Sequence, residues 1–304
     1  MYPAPEEIGT QVFARLPDAL RLSDRRSEWR EGQPGIHPDH SMLEGPSFAL
    51  DGTLYCVDIA HGRIFAVNPQ GEFRVVADYD GEPNGLKIHR DGRLFVADYK
   101  NGIVTVDPET GSVEPYLQRF RLERFKAVND LVFASNGDLY FTDQGLTGLH
   151  DATGRVFRAR ADGRVDCLVD NIPSPNGIVL DLSETMLYVA VTRANAVWRV
   201  PLLADGGVAK VGNFIQLSGG MGPDGLAMDA HGNLAVAHVG LGSVWLFSVL
   251  GEPMLRVRSC EGLHTTNVAY GGAEGRTLYI TESATGNILT ASMPVAGRAM
   301  FSHM

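Results

Sequence analysis

Short apolar runs of four to six residues alternate along this chain with breaks rich in Gly, Asn and Asp, and no ten-residue stretch carries the 3.6-residue apolar period of a helix. The runs come in pairs that repeat one phrase. Glu44-Gly-Pro-Ser-Phe leads to Leu54-Tyr-Cys-Val-Asp58, Pro83-Asn-Gly-Leu to Leu94-Phe-Val-Ala-Asp98, and Val128-Asn-Asp-Leu to Leu139-Tyr-Phe-Thr-Asp143. Pro175-Asn-Gly-Ile then leads to Leu187-Tyr-Val-Ala-Val191, Pro223-Asp-Gly-Leu to Leu234-Ala-Val-Ala-His238, and Thr266-Asn-Val-Ala to Leu278-Tyr-Ile-Thr-Glu282. Each phrase reads as a tight turn, a strand, a hairpin and a second strand. Further β-rich pieces such as Gly62-Arg-Ile-Phe-Ala-Val67 bring each unit to four strands.

With Ser47, Asn84, Asn129, Asn176, Asp224 and Asn267 taken as equivalent, the intervals are 37, 45, 47, 48 and 43 residues, the scale of a propeller blade at roughly 40–50. Six units, none able to bury both faces alone, stack and close a ring. The expected fold is all-β, a six-bladed β-propeller with an N-terminal closing strand. A sandwich pair or an open solenoid would not need six near-equivalent copies. Residues 1–40 read as a leader whose segment Val12 to Arg15 completes the last blade, and residues 41–304 as the six blades. The charged stretch Arg21 to Arg30 reads as a solvated loop, with Arg25, Arg26 and Trp29 its candidates for lining a pocket.

Composition narrows the partners. A formal charge of −10 and a pI near 5.3 argue against a nucleic-acid or anionic-membrane surface, and leave small molecules and cations held in acidic pockets. Cys56, Cys167 and Cys260 are far apart and read as core thiols of a reducing compartment. No apolar signal region and no apolar run of the ~20 residues a membrane helix needs is present. The expectation is a cytoplasmic protein, monomeric or weakly homo-oligomeric.

In a propeller the strand nearest the axis borders the central channel, so residues opening those strands converge. Glu44, placed three residues ahead of its repeat position, Asn129, Asn176 and Asp224 form an all-oxygen set of two carboxylates and two carboxamides, suited to Ca2+, or to Mg2+ or Mn2+ with waters. A conformational reading stands beside it, because Asn-Gly and Asp-Gly are common hairpin residues in any protein, and Asn84 shares the Pro-Asn-Gly context of Asn176. Asp224 is the lone acid among amides in these phrases, which favours a role for charge. His238 and His264 flank inner strands and are candidates for substrate contact or proton transfer, with a hydrogen-bonded structural role as the rival. His37, His40, His61 and His231 read as turn or loop residues. No Cys/His cluster suggests structural zinc, and no nucleophile elbow, Walker loop or dinucleotide fingerprint occurs.

Ser174-Pro-Asn-Gly-Ile, Gly222-Pro-Asp-Gly-Leu followed by Asp229-Ala-His-Gly-Asn233, Asn129-Asp-Leu-Val, and the run from Asn267 to Thr281 resemble the SMP-30/gluconolactonase/LRE family in order as well as chemistry, over roughly residues 40–292. The resemblance implies a six-bladed propeller with one divalent cation at its axis, Ca2+ first, with Mg2+, Mn2+, Zn2+ or Fe2+ as alternatives. It implies that Glu44, Asn176 and Asp224 are ligands, Asn129 a ligand or substrate contact, and Asp224 the general base. The implied activity is hydrolysis of a lactone, foremost a sugar-acid lactone. Phosphotriester hydrolysis on the same site, or ligand binding around a structural metal, are the alternatives. Two departures bear on specificity: Ala127 stands where some animal members carry a substrate-binding Arg, and Gln144 where many bacterial members have Pro.

Overall fold

In the computed structural model, which describes residues 3–33 and 39–304, the paired apolar runs become six sheets arranged as propeller blades. The first blade runs outward from the axis through Leu43–Phe48, Leu54–Asp58, Arg63–Val67 and Phe73–Asp78. The next four repeat that order from Pro83–Ile88, Val128–Phe133, Pro175–Leu180 and Gly222–Met228. The innermost strands pack side by side in a closed ring, with Thr265–Gly271 of the sixth blade returning to Leu43–Phe48.

The two N-terminal strands belong to the last two blades. β1 (Glu6–Gly9) adds to the outer edge of the fifth, parallel to Pro253–Arg258, a strand the sequence did not announce. β2 (Gln11–Arg15) lies antiparallel to Asn287–Ser292 and completes the sixth, with Val12 opposite Leu289, as expected of a closing strand.

Each sheet is covered on both faces by its neighbours, which explains why the inner strands read as continuous apolar runs rather than alternating ones. Leu94–Asp98 is buried at every residue, whereas the outer strand Val113–Leu117 is largely solvated. The core divides into six clusters at the blade junctions, such as Ile64, Leu86 and Val96 between the first two blades. Full burial of each such side chain stabilises the fold by about 1.5–3 kcal/mol relative to exposure.

The stretch around Trp29 is not a solvated loop. It forms a short helix, α1 (Glu28–Gly32), whose N-cap Ser27 accepts from the Arg30 N–H at 3.3 Å, and Trp29 is buried beneath it. His61, read from the sequence as a turn or loop residue, is buried, and neither ring nitrogen has a hydrogen-bond partner among the described residues. His37 lies outside the described residues. Of the cysteines, Cys56 is a core thiol, Cys167 is half-buried and Cys260 is exposed. No helix among the described residues is long and apolar enough to cross a membrane.

Two sequence expectations about the repeated phrase change. The Pro-Asn-Gly and Pro-Asp-Gly triplets are not turns: they lie inside the innermost strands, where all six blades shift register, as between Pro83 and Leu86 or Pro223 and Leu226. Such a bulge re-aims the side chain it carries. The glycine has a packing cause. Gly177 and Gly225 have no positive φ; instead a Cβ on Gly177 would sit 2.3 Å from the Asp224 carbonyl oxygen, and one on Gly225 2.1 Å from Asn267 Oδ1. The second change concerns register. Leu43 pairs with Asp58 as Pro83 pairs with Asp98 and Val128 with Asp143, so Glu44, not Ser47, is the counterpart of Asn84 and Asn129. The first interval becomes 40 residues, within the blade range.

The acids ending the second strands are clamps. Asp58 accepts from the Met42 N–H at 2.9 Å and binds Arg63, Asp143 accepts from the Ala127 N–H at 2.9 Å and binds Arg155, and Glu282 accepts from the His264 N–H at 3.0 Å. Each ties down the segment entering an innermost strand, so that the bulged residue that follows is held in place.

Candidate functional site at the propeller axis

The six bulges present Glu44, Asn84, Asn129, Asn176, Asp224 and Thr266 around the axis, one from each blade; Thr265 pairs with Glu282 as Val128 pairs with Asp143, so Thr266 rather than Asn267 is the sixth counterpart. All six line one cavity open to solvent, and Asn267 lies beside it. Its polar side adds Tyr99 and Gln144. Its apolar side is built by Trp29, Met42, Ile59, Met221 and Val239, so α1 forms part of its cover. The exposed Arg193 stands at its edge.

Hydrogen bonding sorts these groups. Glu44 is buried and takes both of its hydrogen bonds on Oε2, from the Gly45 N–H at 2.6 Å and from Asn267 Nδ2 at 2.7 Å. Asn267 Oδ1 accepts from the Val268 N–H at 2.8 Å, so that carboxamide is occupied at both ends. Asn129 donates through Nδ2 to Tyr99 Oη at 2.8 Å and to Gln144 Oε1 at 2.9 Å, while its buried Oδ1 has no partner among the described residues.

The electrostatics are those of crowded negative charge. Burial pushes Asp224 up to about 7, with the Asp130 carboxylate adding to the rise while Asn176 and Arg193 oppose it. Burial and then the charge of Asp224 hold Glu44 well above the usual carboxylate range. Asp130, which follows Asn129 in its bulge, is itself raised by burial and pairs with Lys87 at 3.7 Å.

Among the described residues no three His, Cys, Asp and Glu side chains come together as a metal site. The axial group has a different composition: two carboxylates plus carboxamide oxygens, with Asn129 Oδ1 unpartnered and Glu44 Oε1 without a hydrogen bond among the described residues. That donor set fits a hard divalent cation, whose charge two carboxylates would balance.

The structure thus brings Glu44, Asn129, Asn176 and Asp224 to one cavity, together with His264, whose buried Nδ1 lacks a partner among the described residues. It does not bring His238 there. That ring is buried between blade elements, its Nε2 at 2.9 Å from the Gly219 carbonyl oxygen and its Nδ1 accepting from Trp245 Nε1 at 3.2 Å, and burial lowers its pKa. Sequence reasoning left Tyr99 and Arg193 out of the site, placed Gln144 at the start of a rim loop running to Thr153, and set Asn84 aside as a turn residue. Asn84 was recoverable from the repeat, once the acids ending the second strands are used to align it. Gln144 stood out as a departure from a motif and as the first residue of a loop expected at the pocket rim.

Comparison with known proteins agrees with this architecture. A family model described as the SMP-30/Gluconolactonase/LRE-like region matches residues 42–284. A curated protein of Staphylococcus aureus (strain MW2) named lactonase drp35 is 34% identical over 225 residues, covering 70% of this chain and 68% of that protein. Among solved structures, the calcium-binding protein regucalcin from Agrobacterium tumefaciens superposes with a TM-score of 0.78 at 23% identity, covering 99% of this chain and 100% of that one. A gluconolactonase from Xanthomonas campestris superposes with a TM-score of 0.74 at 21% identity, covering 93% and 95%.

Proposed function

The chain belongs to the SMP-30/gluconolactonase/LRE-like family, and from that premise we propose that it is a divalent-cation-dependent lactone hydrolase. The observation that carries this reading is the convergence of two carboxylates and the unpartnered Asn129 oxygen on one solvent-open cavity. The lactonase name of relatives at 34% identity supports the reaction class. Calcium is the first candidate ion, on the all-oxygen donor set and on the description of the regucalcin structure as calcium-binding.

Glu44, Asn129, Asn176 and Asp224 would hold the cation. The chemistry it supplies when bound is Lewis-acid polarisation of a carbonyl oxygen. The chain's own residues do the rest. Asp224 removes a proton from the attacking water as the new C–O bond forms at the lactone carbonyl carbon. The ring C–O bond then breaks, and the same proton passes from Asp224 to the departing alkoxide, giving the open hydroxy acid with atoms and charge balanced. Asn84 and Thr266, both in the cavity lining, offer amide and hydroxyl groups to a hydroxylated ring, the basis for placing a sugar-acid lactone first. Trp29, Met42 and Ile59 add apolar surface to the same cavity.

The test is a lactone screen after chelation, with glucono-δ-lactone, an alkyl lactone and an aryl lactone each tried with Ca2+, Mg2+, Mn2+, Zn2+ and Fe2+, and a phosphotriester panel alongside. Acid release in a pH-stat that appears only with added cation is expected. Failure to open any lactone with any of the five ions would overturn the assignment, and faster phosphotriester turnover would replace it with that chemistry.

A further inference from the structure

A carboxamide can turn either its oxygen or its NH2 group toward the axis, and the two are opposite in meaning for a cation. What decides this for Asn129 lies one layer behind it. Gln144 Oε1 accepts from Asn129 Nδ2 at 2.9 Å and also from the Tyr99 hydroxyl, while Gln144 Nε2 donates to Ser174 Oγ at 3.0 Å. The far end of this chain is firmly placed. Ser174 sits at a φ of +66°, its N–H donates to Thr147 Oγ1 at 3.0 Å and its carbonyl accepts from the Thr192 N–H at 3.1 Å. A strained residue held by surrounding bonds is a rigid reference point.

We propose that Gln144 is a positioning residue that fixes the Asn129 carboxamide with its oxygen toward the axis, and so sets the affinity of the site for a divalent cation. The proposal rests on the cation reading above. With its acceptor oxygen aimed at the Asn129 NH2 group, Gln144 leaves Oδ1 as the atom with no protein partner, which is the atom a cation needs. A side chain at 144 that only donates reverses the arrangement, because it would hold Oδ1 and turn the NH2 group inward. Outer-shell partners of this kind change metal affinity by about 10–100-fold in other sites.

The test uses the full chain, stripped with EDTA and titrated with Ca2+ alone by calorimetry, with the melting temperature of the cation-free protein measured in parallel. Gln144→Glu, an acceptor only, is expected to bind Ca2+ as tightly as the parent or more tightly. Gln144→Leu and Gln144→Lys, which offer no acceptor, are expected to weaken binding by about tenfold or more. The contrast between Glu and Lys keeps the test decisive if the Leu variant folds poorly. Ca2+ affinity within about twofold of the parent in the Lys and Leu variants, with only the cation-free melting temperature lowered, would show a structural role and overturn the proposal. Equal loss in the Glu and Lys variants would do the same. A parent that binds neither Ca2+, Mg2+ nor Mn2+ would instead overturn the cation reading itself.

Discussion

Replacing Asp224 by Asn tests the electrostatics and the chemistry of the site at once, because the two effects have opposite signs. In the cation-free protein the carboxyl is lifted from 3.8 to about 7, chiefly by burial and next by Asp130. A folded-state pKa above the unfolded one means that stability is fully present below about pH 4 and is lost as pH rises through 7. At about 1.36 kcal/mol per pH unit the lift amounts to about 4 kcal/mol at pH 8, and sharing of the repulsion with Glu44 reduces this to about 2–4 kcal/mol. With an unfolding entropy of about 2.1 cal/mol/K per residue over 304 residues, Asp224→Asn should melt about 3–6 °C higher than the parent in EDTA at pH 8, and about level with it at pH 4. Calcium should reverse the order, because the variant has lost a carboxylate from the donor set. Lactone turnover should fall by about 10²–10⁴-fold with the loss of the general base. Calorimetry with and without Ca2+ and a pH-stat assay on the same preparations read both effects. A variant that hydrolyses lactone at the parental rate, or that melts below the parent in EDTA at pH 8, would refute the reasoning.

Three further outcomes follow from other parts of the molecule. Gly177→Ala places a Cβ 2.3 Å from the Asp224 carbonyl oxygen, so it should cost about 1–3 kcal/mol by calorimetry and weaken Ca2+ binding as well, because the strain falls on the bulge carrying Asp224. Saturating Ca2+ at 100 times its Kd should stabilise the parent by about 2.7 kcal/mol, and an unchanged melting temperature across an EDTA and Ca2+ pair would argue against a cation at the axis. Burial depresses the pKa of His61, with Arg63, Arg30 and Arg25 adding to the effect and Asp58 opposing it. Its contribution to stability is therefore present above about pH 6.5 and declines as pH falls toward the folded-state value, so His61→Leu should flatten the parent's loss of denaturant stability between pH 7 and pH 5.

The ring was legible in the sequence because it is written six times. A strand pair buried on both faces leaves a continuous apolar run, and six such pairs at blade spacing restrict the architecture even where single copies are ambiguous. β2 was legible for the same reason, since the sixth unit has three strands of its own and needs a fourth. β1 was not: Glu6–Gly9 carries one apolar residue, Ile8, and its partner strand at Pro253–Arg258 lies far along the chain. The acids show a subtler limit. Asp58, Asp98, Asp143 and Glu282 recur more regularly than Asp224, yet they clamp backbone amides, and residue type alone does not separate a clamp from an axial donor. Register does, and register depends on the bulge, which no local pattern reveals. Glu44 was therefore chosen for its chemistry and placed three residues out of step. Tyr99 was missed because it follows the second strand of the neighbouring blade and meets Asn129 only when the two blades pack, while Gln144, in Asn129's own blade, was read only as the start of a rim loop.

The pairing of β2 with the sixth blade also fixes an order of events during synthesis. Gln11 and its partner Thr290 are 279 residues apart, so at about 5–20 residues per second β2 waits roughly 14–56 s for its partner to be translated. Throughout that interval the nascent chain carries the open edge of a strand and an unclosed stack of blades, whose next neighbour could as well come from another chain on the same message. Completion of the sixth blade therefore cannot precede synthesis of Asn287–Ser292.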